Sequence, residues 1–179
     1  MRHFKNFMIL VMTLTAVTLT SCSSDDDSGD DGGGSGGGGA APGVLVASVD
    51  GTTVTSVEIA TFATLSNGVL QIQGNTGGTS SKAIVLNLLD YNGAGTYPLG
   101  GGVNIINNAS YVETDVDLNN PTNPDVRTWQ APYNDSQVGE IIITEVSDTN
   151  VKGTFSFSCK NGADDSVRNI TDGSFNIDF

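Results

Sequence analysis

Apolar and polar side chains alternate along many short segments of this chain, and a period of two is typical of β-strands. The clearest such segment is Thr154–Lys160. In it Phe155, Phe157 and Cys159 share one face, which is predicted to be buried, and the polar side chains share the other. No segment combines a helical period of 3.6 with capping residues. The sequence therefore predicts an antiparallel all-β fold.

The remaining strands are bounded by turn residues. At the C-terminus Phe175, Ile177 and Phe179 are predicted to face the core and Ser174, Asn176 and Asp178 to face outward. The dipeptides Asp50-Gly51 and Asn67-Gly68 predict type I′ hairpin turns, which need positive φ at both central residues. The other predicted strands are Val44–Val49, Thr52–Val57, one around Phe62, Val69–Gln73, Lys82–Leu89, Tyr111–Asp115, Val126–Trp129 and Glu140–Val146.

The segment Lys82–Leu89 is nearly all apolar and is expected to be a central strand buried on both faces. Strand follows strand without helical crossovers. The predicted architecture is an antiparallel β-sandwich of roughly nine or ten strands, with a closed up-and-down β-barrel as the alternative.

The N-terminus has the order of a bacterial lipoprotein signal. Arg2 and Lys5 precede an apolar stretch, and Leu19-Thr20-Ser21-Cys22 fits a lipobox, at which the chain is cleaved and the cysteine acylated. Residues 1–21 are therefore predicted to be a signal peptide, with Cys22 the lipidation site and the membrane a partner through that lipid. Residues 22–42 are acidic and rich in glycine and serine, which predicts a disordered tether, and residues 43–179 are predicted to form one β domain.

Composition excludes several classes of function. The single histidine, His3, lies in the predicted signal, so the mature chain lacks the imidazole that Ser-His-Asp and Cys-His catalysis and common zinc sites require. No enzyme activity, cofactor or metal site is therefore predicted. The formal net charge of −13 becomes more negative when Arg2 and Lys5 are removed, which argues against nucleic-acid binding. Cys159, placed inward beside phenylalanines, is expected to be an inert core residue.

One long polar stretch, Leu118–Ser136, contains candidate ligand-binding residues. Trp129 and Tyr133 lie among asparagines and prolines there, and aromatic rings beside amide groups are typical of sugar-binding surfaces. The alternative interpretation is that Trp129, the only tryptophan, anchors the core. The candidates are therefore weak, and the ligand is unknown.

Two further local patterns suggest binding or modification. Asp115, Asp117, Asn119 and Asp125 could form an irregular calcium site, although the spacing does not match an EF-hand. Asp165-Ser166-Val167 resembles a short O-glycosylation pattern of Bacteroidetes proteins, and this places a hypothetical modification on Ser166.

Several phrases resemble an uncharacterised family of small Bacteroidetes lipoproteins that carry a domain of unknown function. These are Gly95-Thr96-Tyr97-Pro98-Leu99, Gly139-Glu140-Ile141-Ile142-Ile143-Thr144, Val151-Lys152-Gly153-Thr154-Phe155-Ser156-Phe157 and Ile170-Thr171-Asp172-Gly173-Ser174-Phe175. The resemblance implies a lipobox, a polar tether and one β domain, without any assigned activity. The acidic run after Cys22 also resembles the export tag of surface lipoproteins of that phylum.

These observations together predict a lipid-anchored envelope or cell-surface lipoprotein that serves as a non-catalytic binding or interaction module. The alternatives are a carbohydrate-binding module that uses the loop around Trp129 and a structural or assembly partner of other outer-membrane proteins. The expected location is the outer membrane, with the domain facing the cell exterior or, alternatively, the periplasm. The oligomeric state is open at this point.

Overall fold

The computed structural model describes residues 39–102 and 107–179. These residues form β-strands, one 3-10 turn at Glu58–Ala60 and no α-helix. The strands are β1 (Val44–Val49), β2 (Thr52–Thr55), β3 (Thr61–Ser66), β4 (Val69–Asn75), β5 (Ser80–Leu88), β6 (Gly95–Leu99), β7 (Asn107–Asp115), β8 (Asp125–Ala131), β9 (Gly139–Val146), β10 (Asn150–Asn161) and β11 (Val167–Asp178). The predicted signal, Cys22 and most of the predicted tether lie outside the described residues.

All strand pairs are antiparallel, and the strands belong to a single sheet. Its order is β2-β1-β11-β10-β8-β7-β5-β4-β3, and the sheet curls into a half-barrel. A branch leaves this path at β10, which pairs with β8 at its C-terminal end and with β9 along most of its length, and β9 in turn pairs with β6. The predicted antiparallel all-β fold is confirmed.

The concave face of the sheet holds the core. Phe155, Phe157 and Cys159 are buried there, as the alternation in β10 predicts. They join aliphatic side chains from the facing strands, among them Leu70 and Ile72 of β4. Burying a large apolar side chain contributes about 1.5–3 kcal/mol, so each of these side chains stabilises the fold substantially.

The two hairpin turns have the predicted backbone conformation. Asp50 and Gly51 have φ values of 49° and 85°, and Asn67 and Gly68 have 51° and 77°. Positive φ at both central positions is the requirement of the type I′ turn, whose twist matches that of the flanking strands. Both turn predictions are confirmed.

The prediction for the C-terminus is correct for Phe175 and Ile177 and wrong for Phe179. Strand β11 ends at Asp178, and the side chain of Phe179 is 42% exposed. The last residue pair between β10 and β11 is Asn150 with Asp178, so Phe179 lies past the edge of the core layer. Ser174, predicted to face outward, is buried.

The prediction that Lys82–Leu89 is buried on both faces is also wrong. In β5 the side chains of Ile84, Leu86 and Leu88 are at most 1% exposed, whereas Val85 and Asn87 on the opposite face are half-buried. The reason is the architecture: a half-barrel has one core layer, on its concave side, so one face of each strand remains accessible. Strand β6 was not predicted, because Gly95 and Pro98 are poor strand formers. Among the described residues this strand pairs with β9 alone, and proline is tolerated in a strand that has a free edge.

Candidate functional site

Trp129 lies in the core rather than on the surface. Its side chain is 2% exposed, and its ring centroid is 5.6 Å from that of Tyr111, the neighbouring residue on β7. The indole Nε1–H donates a hydrogen bond to the hydroxyl of Ser166 at 2.8 Å. Both the ring and its one polar group are therefore satisfied within the protein.

Arg168 covers the Trp129 ring. It pairs with Cys159 across β10 and β11, and its Cζ lies 4.9 Å from the Trp129 ring centroid, a cation–π distance. Its Nη1 forms an ion pair with the Asp50 carboxylate at 3.0 Å. The Asp50 carboxylate also accepts the backbone N–H of Asn169, and this hydrogen bond, helped by Arg168, lowers the pKa of Asp50. The ion pair thus connects the β1–β2 turn to β11.

The glycan hypothesis for Trp129 is wrong in its choice of residue, because a sugar would need an exposed indole face. The sequence could not distinguish the two interpretations, since the covering side chains, Tyr111 and Arg168, are distant in the chain. Tyr133, the other candidate, lies two residues beyond the end of β8 and is 39% exposed.

Further charged groups lie on the inner face of the sheet, the face that carries Trp129, and extend from Arg168 along β7 and β8. Glu113 accepts a hydrogen bond from the Tyr111 hydroxyl at 2.9 Å, and its other oxygen lies 3.4 Å from Nη2 of Arg127. The same Nη2 is 2.7 Å from Asp115. Burial, reinforced by Glu113, raises the pKa of Tyr111 above its usual range, so this hydroxyl remains a donor. We call Asp50, Glu113, Asp115, Arg127 and Arg168 the inner charged cluster.

The geometry does not favour the hypothetical calcium site. Asp115 and Asp125 are both directed at Arg127, whose positive charge opposes a cation at that position. The Ser80 hydroxyl and Arg127 lower the pKa of Asp115. Asp117 accepts hydrogen bonds from Asn119 within a local turn. In residues 39–102 and 107–179 no group of three or more acidic, cysteine or histidine side chains is arranged to hold a metal ion.

Cys159 and Ser166 occupy defined structural positions. Cys159 is fully buried, which confirms that it is a core residue, and burial raises the pKa of its thiol to about 12, which disfavours the reactive thiolate. The Ser166 hydroxyl accepts from Trp129 and donates to Asp164 at 2.6 Å. An attached sugar would remove the hydrogen that Ser166 donates, and O-glycosylation there stays a prediction.

The opposite, convex face of β3, β4, β5, β7 and β8 has an unusual composition. We call it the outer face. Its residues alternate with the buried positions of the same strands and align across them in register. They are Phe62, Thr64 and Ser66; Val69, Gln71, Gln73 and Asn75; Ser81, Ala83, Val85 and Asn87; Asn108, Ser110, Val112 and Thr114; and Val126, Thr128 and Gln130. None of these residues is charged.

The charged residues of these five strands all fall on the inner register. Cross-strand pairing aligns Lys82 with Glu113 and Glu113 with Arg127, and it aligns Asp115 with Asp125. A solvent-facing side of an antiparallel sheet ordinarily carries the charges, and here the distribution is reversed. Sequence inspection missed this face. A signal was present in β4, where Gln71 and Gln73 alternate with apolar residues. The extent of the outer face, however, depends on the register of five strands.

In a comparison with family models, residues 42–177 match a domain of unknown function designated DUF6252. The match covers most of the chain. The chain belongs to the DUF6252 family. No curated protein and no solved structure matches it. The DUF6252 description names no activity, so any function has to be argued from the faces of the sheet described above.

Among the described residues, no helix is long and apolar enough to cross a membrane.

Proposed function

We propose that this DUF6252 protein is a lipid-anchored, non-catalytic binding module of the bacterial envelope, and that it contacts its partner through the outer face. The observation that carries the binding role is the lack of charge on this face in a protein of formal net charge −13. Charged side chains keep a surface solvated and separate from other molecules. A broad, accessible face without them is suited to contact.

The size and chemistry of the outer face support this role. It extends over five adjacent strands, which at about 4.8 Å between strands span roughly 20 Å. Amide groups, hydroxyl groups and β-branched side chains alternate along it, and Phe62 is 44% exposed at its β3 edge. Binding sites combine apolar surface with a few oriented polar groups in this way.

The proposed location at the outer membrane depends on acylation of Cys22. The lipobox at Leu19–Cys22 and the acidic residues after it favour acylation and an outer-membrane location, facing the exterior or the periplasm. The glycine- and serine-rich stretch that follows would give the domain a reach of about 25 Å from the lipid. An enzyme is disfavoured because the predicted mature chain lacks histidine.

A second candidate function is assembly with another envelope protein, and one observation favours it. Ile59, in the 3-10 turn before β3, is 97% exposed, and Val57, two residues earlier in the chain, is 40% exposed. Strand β3 lies at the edge of the sheet, where unpaired backbone groups can pair with a strand of another chain.

The lipid anchor is tested with Cys22→Ala in a bacterial host that processes lipoproteins. Wild-type protein should incorporate labelled fatty acid, whereas the variant should not. A Ser21→Ala chain, altered next to the acylated residue, is the matched control and should still be labelled. Equal fatty-acid labelling of Cys22→Ala and wild type would contradict the anchor.

Binding is tested with the unlipidated Cys22→Ala chain, so that lipid insertion cannot cause sedimentation. It should bind saturably to isolated envelopes, and an added Ser110→Asp substitution at the centre of the outer face should abolish most of that binding. Ser156→Asp places the same charge on the outward side of β10 and should have little effect. Equal sedimentation of both variants would contradict a binding role for the outer face.

A further inference from the structure

We propose that the ligand of the outer face is a neutral polysaccharide, a chain of hydroxyl-bearing sugars without charged groups. This inference rests on the proposed binding function and adds the chemical class of the partner. Its site is distinct from Trp129, which is buried, and from the inner charged cluster on the opposite side of the sheet.

Charge narrows the choice of partner. Anionic molecules such as nucleic acids, acidic glycans and anionic lipid head groups are repelled by a chain of net charge −13. A second copy of the chain carries the same charge and is disfavoured for the same reason. A cationic partner would gain most from carboxylates, and the outer face has none. An uncharged partner is not repelled by the negative charge of the chain and does not need carboxylates to bind.

The polar groups of the outer face suit hydroxyl ligands. A sugar hydroxyl both donates and accepts hydrogen bonds, and a side-chain amide offers both functions on one planar group. Gln71, Gln73, Asn87, Asn108 and Gln130 supply such amides on four adjacent strands. The Asn87 Nδ2 group donates to the Asn108 Oδ1 atom at 2.9 Å, which fixes the orientation of both amides before a ligand arrives.

Apolar groups lie in the same row as two of these amides, Gln73 and Gln130. Strand register aligns Phe62 with Gln73, Gln73 with Val85, and Val85 with Ser110. The next residue in the row is Gln130. The row thus presents an aromatic ring, an amide, an aliphatic group, a hydroxyl and a second amide. The ring and Val85 can cover the C–H faces of sugars while the amides bond their hydroxyls. The sequence predicted an aromatic ring beside amide groups around Trp129. In the structure this combination is found at Phe62 instead.

The test is affinity electrophoresis of the full chain in native gels that contain soluble neutral polysaccharides: glucans, mannan, xylan and galactan. Alginate and pectate serve as acidic counterparts. At least one neutral polymer should retard the wild-type protein, and the acidic polymers should not. Phe62→Ala and Gln73→Glu should each weaken that retardation by about tenfold, the effect of losing one or two hydrogen bonds or a ring contact.

Each variant has a matched control elsewhere on the protein. Gln137→Glu makes the same chemical change in the loop before β9, and Phe179→Ala removes a ring of nearly the same exposure, 42% against 44%. Both should bind like wild type. Thermal unfolding of all four variants establishes that they are folded.

Retardation by a neutral polymer that Phe62→Ala and Gln73→Glu weaken, and that the controls retain, supports the inference. Absence of retardation by all neutral polymers, or equal loss in variants and controls, overturns it. If envelope sedimentation nevertheless remains sensitive to Ser110→Asp, the binding module stands and only the glycan is wrong. A dimer in sedimentation that Gln73→Glu dissociates would also overturn the glycan and identify a second copy as the partner.

Discussion

The two faces of strands β3, β4, β5, β7 and β8 differ in a way that their shared backbone does not require. On the inner face, aliphatic and aromatic residues form the core. Every charged residue of these strands is also on the inner face, near one end of β5, β7 or β8, and most of them pair within the inner charged cluster. On the outer face, uncharged amides, hydroxyls and β-branched side chains are accessible to solvent. On these five strands the alternation that separates core from solvent therefore also separates charge: the charged side chains lie on the inner register, mostly paired with one another, and the outer register carries none.

The largest expected difference in the free energy of unfolding is between two carboxylates at adjacent positions, one on the inner face and one on the outer face. Ile84→Asp introduces an unpaired charge at a site that is 1% exposed and should destabilise the domain by at least about 4 kcal/mol, enough to unfold it. Val85→Asp, one residue further on the outer face, should cost about 1 kcal/mol or less. Urea denaturation measures both. Similar destabilisation of the two would contradict the division into faces.

Removal of the buried indole should have the next largest effect. Trp129→Ala leaves a cavity beside Tyr111 and should destabilise the fold by about 3–5 kcal/mol. Tyr133→Ala, at the partly exposed candidate in the following loop, should change stability by less than about 1 kcal/mol. Thermal unfolding measures the difference. A small effect of Trp129→Ala would mean that the ring does not anchor the core.

Loss of the cover over that ring should have a moderate effect. Arg168→Ala removes the guanidinium above Trp129 and its ion pair with Asp50, and should lower stability by about 1 kcal/mol. It should also make tryptophan fluorescence more sensitive to acrylamide. Lys160→Ala is the control, since Lys160 is similarly exposed, aligns with Gln130 on the opposite register of the sheet from Trp129, and pairs with Asp165. Equal quenching in both variants would contradict the shielding role of Arg168.

The smallest effect is a pH dependence at Asp50. Because the folded-state pKa of Asp50 is lowered, its carboxylate stabilises the fold above its unfolded pKa of about 3.9, and that contribution is lost as pH falls through the folded value. Asp50→Asn should therefore lower the melting temperature at pH 7 and lose that difference near pH 2. A constant difference across this range would show that the deficit is not electrostatic.

Local patterns predicted much of the fold. Alternation around Phe155 and Phe157 indicated the buried side of β10, and Asp50-Gly51 and Asn67-Gly68 fixed their turns, because these signals depend on neighbours in the chain. What failed depended on distant contacts. The apolar run in β5 could not reveal that only one layer packs against it, and nothing near Phe179 indicates where the core ends.

The site could be predicted even less well. Local composition pointed to Trp129, although Arg168 and Tyr111 cover it from other strands. The outer face exists only once Phe62, Gln73 and Val85 are aligned by register. A one-residue slip would exchange the faces, so no reading of single strands could have assembled it.

The most direct test of the central claim, that the outer face is a contact surface, is thiol labelling inside the envelope. Ser110→Cys on the outer face and Ser156→Cys on β10 are each labelled with a membrane-permeant maleimide, in purified protein and in intact cells. The native Cys159 is buried, with its thiol pKa raised to about 12, and should not react. Ser110→Cys should be labelled much more slowly in cells than in purified protein, whereas Ser156→Cys should be labelled at similar rates in both. Equal rates for Ser110→Cys in the two settings would contradict the claim.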